Sequence, residues 1–384
     1  MYLSSEKTNI KLLGTVFITL CCLASQLPSE AAASRVFPSS HGPIQATTLK
    51  SDLHHPWGMA FINANRVLIT ERRGRLLALN LKSKHTQVVR GLPRIIAQGQ
   101  GGLLDVAIDP QFEKNRWVYI SYTGGLPRSK STHVGRGKLQ NGKLNQFQVI
   151  FKASPLMKSQ FHFGSRLVFS NQGHLYISLG ERGQKSLAQD PSNHSGSMIR
   201  VWPDGSVPAD NPFLKQRGYQ PSIFSYGHRN MQGAALHPTT GEVWAHEHGP
   251  KGGDEINVIR PGRNYGWPKT TYGIDYDGTI ISTQTTLPGI TSPIHHWTPS
   301  IAPSGMAFVK GPLFSKWRGD LLVGALKDRR LMHLTIRGEQ VLEQEPLLGE
   351  LAERIRDVEI GPSGAIYLLT DSKNGSLLKL TPQQ

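Results

Sequence analysis

The sequence predicts an all-β protein folded as a six-bladed β-propeller. Pairs of short apolar segments, joined by turn-forming residues, recur six times along the 384-residue chain. Such pairs are typical of β-hairpins, and the apolar spacing of amphipathic helices is nearly absent. A propeller repeats small sheets radially and leaves only short strand edges. The pairs are 57–61 with 67–70, 104–108 with 117–120, 165–169 with 175–178, 233–237 with 242–245, 304–308 with 320–324, and 356–360 with 365–369.

Five or seven blades are also compatible with this pattern, and a β-sandwich is the structural alternative. A sandwich does not require so regular a recurrence of hairpins, so the propeller is favoured. In a propeller, the loops at one end of the blades converge on a central axis. Residues that are distant in sequence can therefore meet there around one ligand.

The first 33 residues predict a secretory signal peptide, which leaves residues 34–384 as a single catalytic domain in the periplasm. Two lysines precede an apolar run at 12–24, and three alanines that end at residue 33 are suited to cleavage. The run is too short to cross a bilayer comfortably, and no later segment is long enough to be a membrane helix.

Composition excludes some classes of partner and chemistry. Cys21 and Cys22 both lie in the leader, so the mature chain is expected to contain neither a thiol nor a disulfide. The net charge is +16, and removing the leader removes two bases and two acids, which leaves that value unchanged. The basic residues are scattered and form no nucleic-acid motif, so we expect no nucleic-acid partner.

The segment from Tyr226 to Asn257 is rich in groups that could bind a ligand. Burying such a polar group unpaired costs roughly 1–3 kcal/mol, so these groups must be solvated or must face a ligand. A cation beside an amide at 229–230 and a Gly-Pro turn at 249–250 point to a polyanion with a hard cation at its edge. A long polar surface loop is the alternative.

The order of residues in this segment resembles the soluble quinoprotein sugar dehydrogenases, and their aldose sugar dehydrogenase branch most closely. The resemblance extends from about Pro56 to Leu380. It implies six blades, bound pyrroloquinoline quinone (PQQ) and Ca²⁺, and oxidation of aldoses at C1 to lactones by hydride transfer to the quinone. It also implies an external electron acceptor. Both a monomer and a homodimer are compatible with it.

The resemblance assigns the catalytic roles to His162 and Glu181. His162 precedes the third hairpin, where the family has the general base that takes the proton of the sugar C1 hydroxyl. Glu181 follows the same hairpin and would orient the imidazole, although the classical glucose dehydrogenases have Asp there. By residue type alone, His162 would be structural and Glu181 a surface partner of Arg182.

The resemblance also assigns four cations and two amides to the cofactor. A tricarboxylate that carries an ortho-quinone needs several cations for binding and for the charge that develops on reduction. Taken alone, each cation would be a solvated surface charge. These residues are Gln100, Arg229, Asn230, Lys327, Arg354 and Arg356.

Gly249 and Pro250 are the predicted calcium site, because in the resembled family their backbone carbonyls help to hold Ca²⁺. His246 and His248 form a rival zinc site, since they alternate onto one face of a strand, but no third ligand is evident. His248 stands where the classical glucose dehydrogenases have Gln, which fits the aldose branch.

Tyr265 and Trp297 are predicted to line the substrate mouth, because aromatic rings pack on the apolar faces of sugars. Their alternative is a place in the core. Two other functions stay open: a metal-dependent lactonase on a similar propeller, and a propeller that only binds a ligand. Four cations near the axis would repel a bare metal ion, which argues against the lactonase.

Overall fold

Six antiparallel sheets surround a central axis in the structure, a computed structural model that describes residues 1–2 and 34–383. The prediction of an all-β, six-bladed propeller is confirmed, and the sandwich and the other blade numbers are excluded. The predicted signal peptide falls almost wholly on residues outside those described. In the part of the chain that is described, no helix has the length and apolar character needed to span a membrane.

Blades I to V are four-stranded sheets, each formed by consecutive strands of the chain. Their strands are, for blade I, Pro56–Asn63, Arg66–Glu71, Arg75–Asn80 and Thr86–Val89; for blade II, Leu103–Ile108, Trp117–Leu126, Ser129–Gln140 and Lys143–Lys152; for blade III, Leu167–Phe169, Leu175–Ser178, Ser197–Val201 and Ile223–Tyr226; for blade IV, Met231–Leu236, Val243–Glu247, Asp254–Ile259 and His295–Trp297; and for blade V, Pro303–Phe308, Leu321–Ala325, Arg330–Arg337 and Gln340–Leu347.

Blade VI closes the ring with strands from both ends of the described chain. The strand Gly375–Pro382 pairs with Ile44–Leu53, in a register that aligns Ala46 with Leu380. Its five strands are, from the axis outward, Ile355–Ile360, Ile366–Thr370, Gly375–Pro382, Ile44–Leu53 and Ser34–Phe37. Pairing the two ends leaves no unpaired edge where the ring begins.

The six predicted hairpins are the first two strands of the six blades. In blade I, for example, Met59 pairs with Ile69 and Phe61 with Val67. The first strand of each blade packs against its neighbours around the axis. Apolar side chains fill the space between adjacent blades, as Leu68 of blade I does with Val106 and Ile120 of blade II.

Helices are short in the described residues, which fits the lack of helical periodicity in the sequence. The α-helix is Phe112–Asn115, and the 3₁₀ helices are Lys185–Gln189, Ser315–Trp317 and Gly349–Leu351. Strands and tight turns therefore position the functional side chains.

Candidate active site

A cavity of about 250 Å³ lies at the axis, and all six blades contribute to its wall. Most lining residues occupy two recurring positions, near the start of a first strand or directly after a second strand. Its wall consists of Trp57, Arg72, Gln100, Leu104, Phe163, Gly164, Asn230, Gln232, His248, Ala302, Leu326, Arg354, Arg356 and Asp371.

Four of the six residues predicted to bind the cofactor line this cavity. Gln100 comes from the segment before blade II, Asn230 from the start of blade IV, and Arg354 and Arg356 from the start of blade VI. The fold thus brings together groups that the sequence keeps far apart. Arg354 and Arg356 are two residues apart, and both line the cavity.

Asp371 holds the two arginines of blade VI in place. Its Oδ2 accepts hydrogen bonds from Arg356 Nη2 at 2.8 Å and from Arg354 Nη2 at 3.3 Å, while its Oδ1 lies 3.1 Å from His55 Nδ1. Burial opposes ionisation of Asp371, but Arg356 and Arg354 outweigh it and hold its pKa far below the usual range. The carboxylate therefore stays charged and fixes both guanidinium groups.

The wall suits a ligand with several anionic oxygens. It contains three arginines against one carboxylate, together with the amides of Gln100, Asn230 and Gln232. Within the described residues, the buried Nε of Arg356 has no hydrogen-bond partner. A buried donor without a partner is unfavourable, and an anionic ligand would satisfy it. This donor set fits the tricarboxylate cofactor expected from the sequence.

A buried ion cluster lies directly behind the cavity wall. Arg166 Nη1 lies 2.7 Å from Asp357 Oδ1 and 3.3 Å from Asp105 Oδ1, and its guanidinium packs on the ring of Trp57. The Arg166 side chain also donates to the backbone carbonyls of Gln232, at 2.8 Å, and Arg356, at 3.3 Å. It therefore supports two residues whose side chains line the cavity.

His162 and Glu181, predicted from the sequence as the catalytic pair, form a hydrogen bond beside this wall. Nδ1 of His162 lies 2.6 Å from Oε2 of Glu181, and the Glu181 side chain is only 1% exposed. Since a carboxylate only accepts, Nδ1 carries the proton and Nε2 of the neutral ring is a lone-pair acceptor. Gly183 N also donates to Glu181 Oε2, at 2.7 Å, and fixes the carboxylate.

Gln100 connects the pair to the cavity. Its Oε1 accepts a 2.8 Å hydrogen bond from the backbone N of His162, and the next residues, Phe163 and Gly164, line the cavity. The imidazole itself is 13% exposed, so it is open to a small reactant. The arrangement places an open base next to a cationic pocket.

A family model described as glucose/sorbosone dehydrogenase matches residues 53–379. The chain belongs to this family. It is 39% identical over 372 residues to the aldose sugar dehydrogenase of Escherichia coli (strain K12), an alignment that covers 95% of this chain and 98% of that protein.

Comparison with solved structures points to the same family. A crystal structure of a glucose dehydrogenase is 44% identical, with a TM-score of 0.85 over 87% of this chain and 98% of that one. The PQQ-bound form of an aldose sugar dehydrogenase from Streptomyces coelicolor is 25% identical, with a TM-score of 0.72 over 88% of this chain and 98% of that one.

Two of the predicted cofactor residues of this family member lie outside the cavity wall. Arg229 is buried, and its Nη1 donates to the carbonyls of His248 at 2.9 Å and Gly249 at 3.0 Å. Lys327 is exposed and follows Leu326, whose side chain lines the cavity. The contacts of these two cations with the cofactor stay a prediction.

The predicted calcium site, at the carbonyls of Gly249 and Pro250, stays a prediction. The Gly249 carbonyl already accepts from the Arg229 guanidinium, and Pro250 is buried. A guanidinium beside the carbonyl repels a second cation. No group of three or more His, Cys, Asp or Glu side chains suited to a metal occurs among the described residues.

The rival zinc site is wrong, because both imidazoles are engaged by backbone carbonyls. His246 Nε2 contacts the Ser304 carbonyl, and His248 Nε2 contacts the Pro303 carbonyl. Burial lowers the pKa of His246 to about 3 and that of His248 well below its usual range, so both rings are neutral. His248 lines the cavity, with its Nε2–H fixed by Pro303.

Tyr265 and Trp297 do not line the cavity, and both occupy the core position that was the alternative to the substrate mouth. Tyr265 is buried, donates its hydroxyl to the Val258 carbonyl and stacks on His228. Trp297 is buried in an apolar cluster, and its Nε1 donates to Gln344 Oε1 at 3.0 Å. Both rings fill space in the fold and satisfy their polar atoms there.

The sequence reasoning missed Arg72, Leu326 and Asp371 as lining residues and gave His248 a different role, although a positional rule would find all four. Arg72, His248, Leu326 and Asp371 each directly follow the second strand of their blade. The second strands of the blades end at the same end of the axis, so the residues that follow them lie close together there. Aligning the six hairpins would thus have singled out these positions. The second residues of four first strands also line the cavity, namely Trp57, Leu104, Gln232 and Arg356.

Proposed function

We propose that this protein oxidises the C1 hydroxyl of aldose sugars to lactones, with PQQ as its cofactor. The observation that carries the proposal is the position of the His162–Glu181 pair, tied by Gln100 to a cavity with three arginines in its wall. Membership of the glucose/sorbosone dehydrogenase family and the PQQ-bound relative support it.

Arg72, Arg354 and Arg356 would hold the carboxylates of the cofactor, and the amides of Gln100, Asn230 and Gln232 would fix its orientation. When bound, PQQ supplies an ortho-quinone that accepts hydride from the sugar. The guanidinium groups of Arg354 and Arg356 are positioned by Asp371 before any ligand arrives, and Arg72 Nη1 donates to the Gly99 carbonyl at 2.9 Å. Such preorganised charge stabilises negative charge that develops during the reaction.

His162 would accept the proton of the C1 hydroxyl at Nε2. Its Nδ1–H is held by Glu181, so the ring already has the required tautomer. The buried carboxylate also stabilises the imidazolium that forms when the proton is transferred. General base catalysis of this kind contributes about 10²–10⁴-fold to a rate.

We further propose that the chain is exported to the periplasm and passes its electrons to an external acceptor. The leader predicted for residues 1–33 supports export. No catalytic step is assigned to a metal ion, because the Gly249 carbonyl accepts from the Arg229 guanidinium as arranged. A lactonase is not favoured, since the three arginines of the wall would repel its metal.

Reconstitution of the cofactor-free protein tests this proposal. Addition of PQQ, with and without Ca²⁺, should give aldose-dependent reduction of an artificial electron acceptor, and spectroscopic titration should show saturable binding of the quinone. Saturable binding without turnover of any aldose would identify a propeller that only binds a ligand. Absence of binding would contradict the proposal altogether.

The variant His162→Asn tests the base without disturbing the backbone. His162 has a φ of +51°, a left-handed conformation that Asn tolerates better than most residues. We expect kcat to fall by about 10²–10⁴-fold while PQQ still binds with unchanged affinity. A variant with wild-type kcat would remove His162 from the mechanism.

A further inference from the structure

Arg182 is a buried cation whose donors all face the loop that carries His162 or a strand beside it. The residue is 5% exposed. Its Nε donates to the Phe161 carbonyl at 2.8 Å, its Nη2 to the Ser159 carbonyl at 2.6 Å, and its Nη1 to the Lys130 carbonyl at 3.3 Å. Neighbouring carbonyls of one loop thus converge on one guanidinium.

The same guanidinium also packs on the residue that follows His162. Its Cζ lies 3.6 Å from the centre of the Phe163 ring, and Phe163 lines the central cavity. Arg182 therefore holds the carbonyl of Phe161, before His162, and the ring of Phe163, after it. It is also the chain neighbour of Glu181, which binds the imidazole itself.

The loop needs such support because its backbone is strained. His162 has a φ of +51° and Ser165 a φ of +93°, and both values lie in the left-handed region that non-glycine residues rarely adopt. Conformations of this kind persist only where surrounding contacts over-determine them. Arg182 supplies contacts on both sides of the strained histidine.

The charge of Arg182 is not explained by a salt bridge. In the described part of the chain, its hydrogen-bond partners are backbone carbonyls rather than carboxylates. Burial lowers its pKa to about 10, an effect that the neighbouring Glu181 partly offsets, so the side chain stays charged at neutral pH. A buried charge held only by carbonyls is costly, which argues for a role beyond packing.

We infer that Arg182 is a positioning residue for His162, and that it holds the histidine loop in the conformation in which Nε2 can reach the substrate. The inference rests on the proposed function, because it concerns the same proton transfer. Arg182 touches neither cofactor nor sugar in this scheme. Its loss should therefore lower kcat and leave the binding of both ligands intact.

Arg200 provides a matched control in the same blade. It is 7% exposed, lies over the ring of Phe224 and donates to Asn211 Oδ1 at 2.7 Å and Asp210 Oδ1 at 2.8 Å. Like Arg182, it is a buried arginine that packs on an aromatic ring and donates hydrogen bonds to a loop. It holds a loop whose residues do not line the cavity.

The experiment compares Arg182→Gln, Arg182→Lys and Arg200→Gln in the PQQ-loaded protein. We expect Arg182→Gln to lower kcat on the order of 10²-fold, because small misplacements of a reacting group cost that much. KM for the aldose and the affinity for PQQ should stay within about threefold of wild type, since Arg182 touches neither ligand. Arg182→Lys keeps the charge but only part of the donor fork, so its kcat should lie in between.

Hydrogen exchange measured by mass spectrometry provides a readout that is independent of turnover. Peptides that cover residues 157–164 should exchange faster in Arg182→Gln than in wild type, and should not change in Arg200→Gln. If Arg182→Gln fails to fold, Arg182→Lys carries the same comparison.

Wild-type kcat in the Arg182 variants, or an equal loss in Arg200→Gln, would overturn the inference. If the wild-type protein binds no PQQ or oxidises no aldose, the proposed function fails instead. The exchange measurement still reports on the loop in that case, so the two failures can be told apart.

Discussion

Two histidine–glutamate pairs in this protein have nearly the same hydrogen bond but different surroundings. In one, His162 Nδ1 lies 2.6 Å from Glu181, on a strained loop next to the cavity. In the other, His228 Nδ1 lies 2.9 Å from Glu247, and the ring is 0% exposed. The second nitrogen of His228 is taken by Ser225 Oγ, and its ring stacks on Tyr265.

This difference supports the proposed role of His162 as the base and a structural role for His228. A carboxylate on one nitrogen sets the tautomer in both pairs, so the pair alone does not define a base. Chemistry also requires that the other nitrogen be open to a reactant. His162 meets this condition because its loop runs along the cavity wall, whereas His228 is enclosed by Ser225 of blade III, Glu247 of blade IV and the Tyr265 ring.

Of the substitutions discussed below, Glu181→Gln should have the largest effect on kcat, because it breaks the His162–Glu181 pair. The change keeps the shape of the side chain but removes the charge that stabilises the imidazolium, so kcat should fall on the order of 10³-fold. Steady-state kinetics and PQQ titration would measure the two effects separately, and PQQ affinity should not change. A loss of affinity with normal kcat would assign Glu181 to binding.

Glu247→Gln is the matched control for that variant. It perturbs a buried pair in which Glu247 Oε2 also accepts a hydrogen bond from the backbone N of Arg229. The free energy of unfolding should therefore fall by about 1–3 kcal/mol. Below its melting temperature, the variant should keep wild-type kcat. A loss of kcat as large as that of Glu181→Gln would show that the two pairs are not functionally distinct.

Arg356→Gln should distinguish the role of the His162–Glu181 pair in turnover from the role of blade VI in binding PQQ. Arg356 lines the cavity, and its buried Nε has no partner within the described residues. Losing a charge-assisted hydrogen bond costs about 1.5–3 kcal/mol, so we expect the Kd for PQQ to rise by about 10–10²-fold. At saturating PQQ, kcat should change far less. Quinone titration checks this, and an unchanged Kd would contradict the proposed binding role.

His133 represents a third environment, a buried histidine without a carboxylate. Burial, with a contribution from Lys152, lowers its pKa to about 4. Because the unfolded state binds this proton first, stability is fully present above the ordinary pKa of about 6.5 and is lost as the pH falls toward 4.

His133→Phe should flatten that dependence. Urea unfolding between pH 7 and pH 4 should show a slope that is smaller by up to about 1.4 kcal/mol per pH unit. The aromatic ring of Phe keeps the edge-to-face packing on Tyr122. An unchanged slope would mean that His133 takes up its proton equally well in the folded state.

Trp297→Phe should have the smallest effect on activity. Trp297 packs in a core cluster away from the cavity and donates to Gln344. The variant should lose stability by about 1–3 kcal/mol, because Gln344 loses its partner and the smaller ring leaves a gap. KM for aldoses should stay as in wild type, and a rise in KM would restore Trp297 to the substrate site.

The contact between His162 and Glu181 was predictable, because both residues belong to one local motif. His162 and Glu181 stand on either side of the third hairpin, so antiparallel pairing alone brings their flanks together. Arg229, Gly249 and Trp297 were harder, since their partners depend on how distant loops and strands pack together. A carbonyl that could bind a cation in one loop conformation accepts from a guanidinium in this one.

By itself, the sequence determined the six hairpins, their all-β character and the family, because strand periodicity and turn residues act over a few neighbouring positions. Only the tertiary structure decided which imidazole is open, which cations face the axis and that Asp371 joins two of them. Those properties arise from contacts between blades, and a side chain's burial and partners depend on packing over the whole ring rather than on its neighbours in the chain.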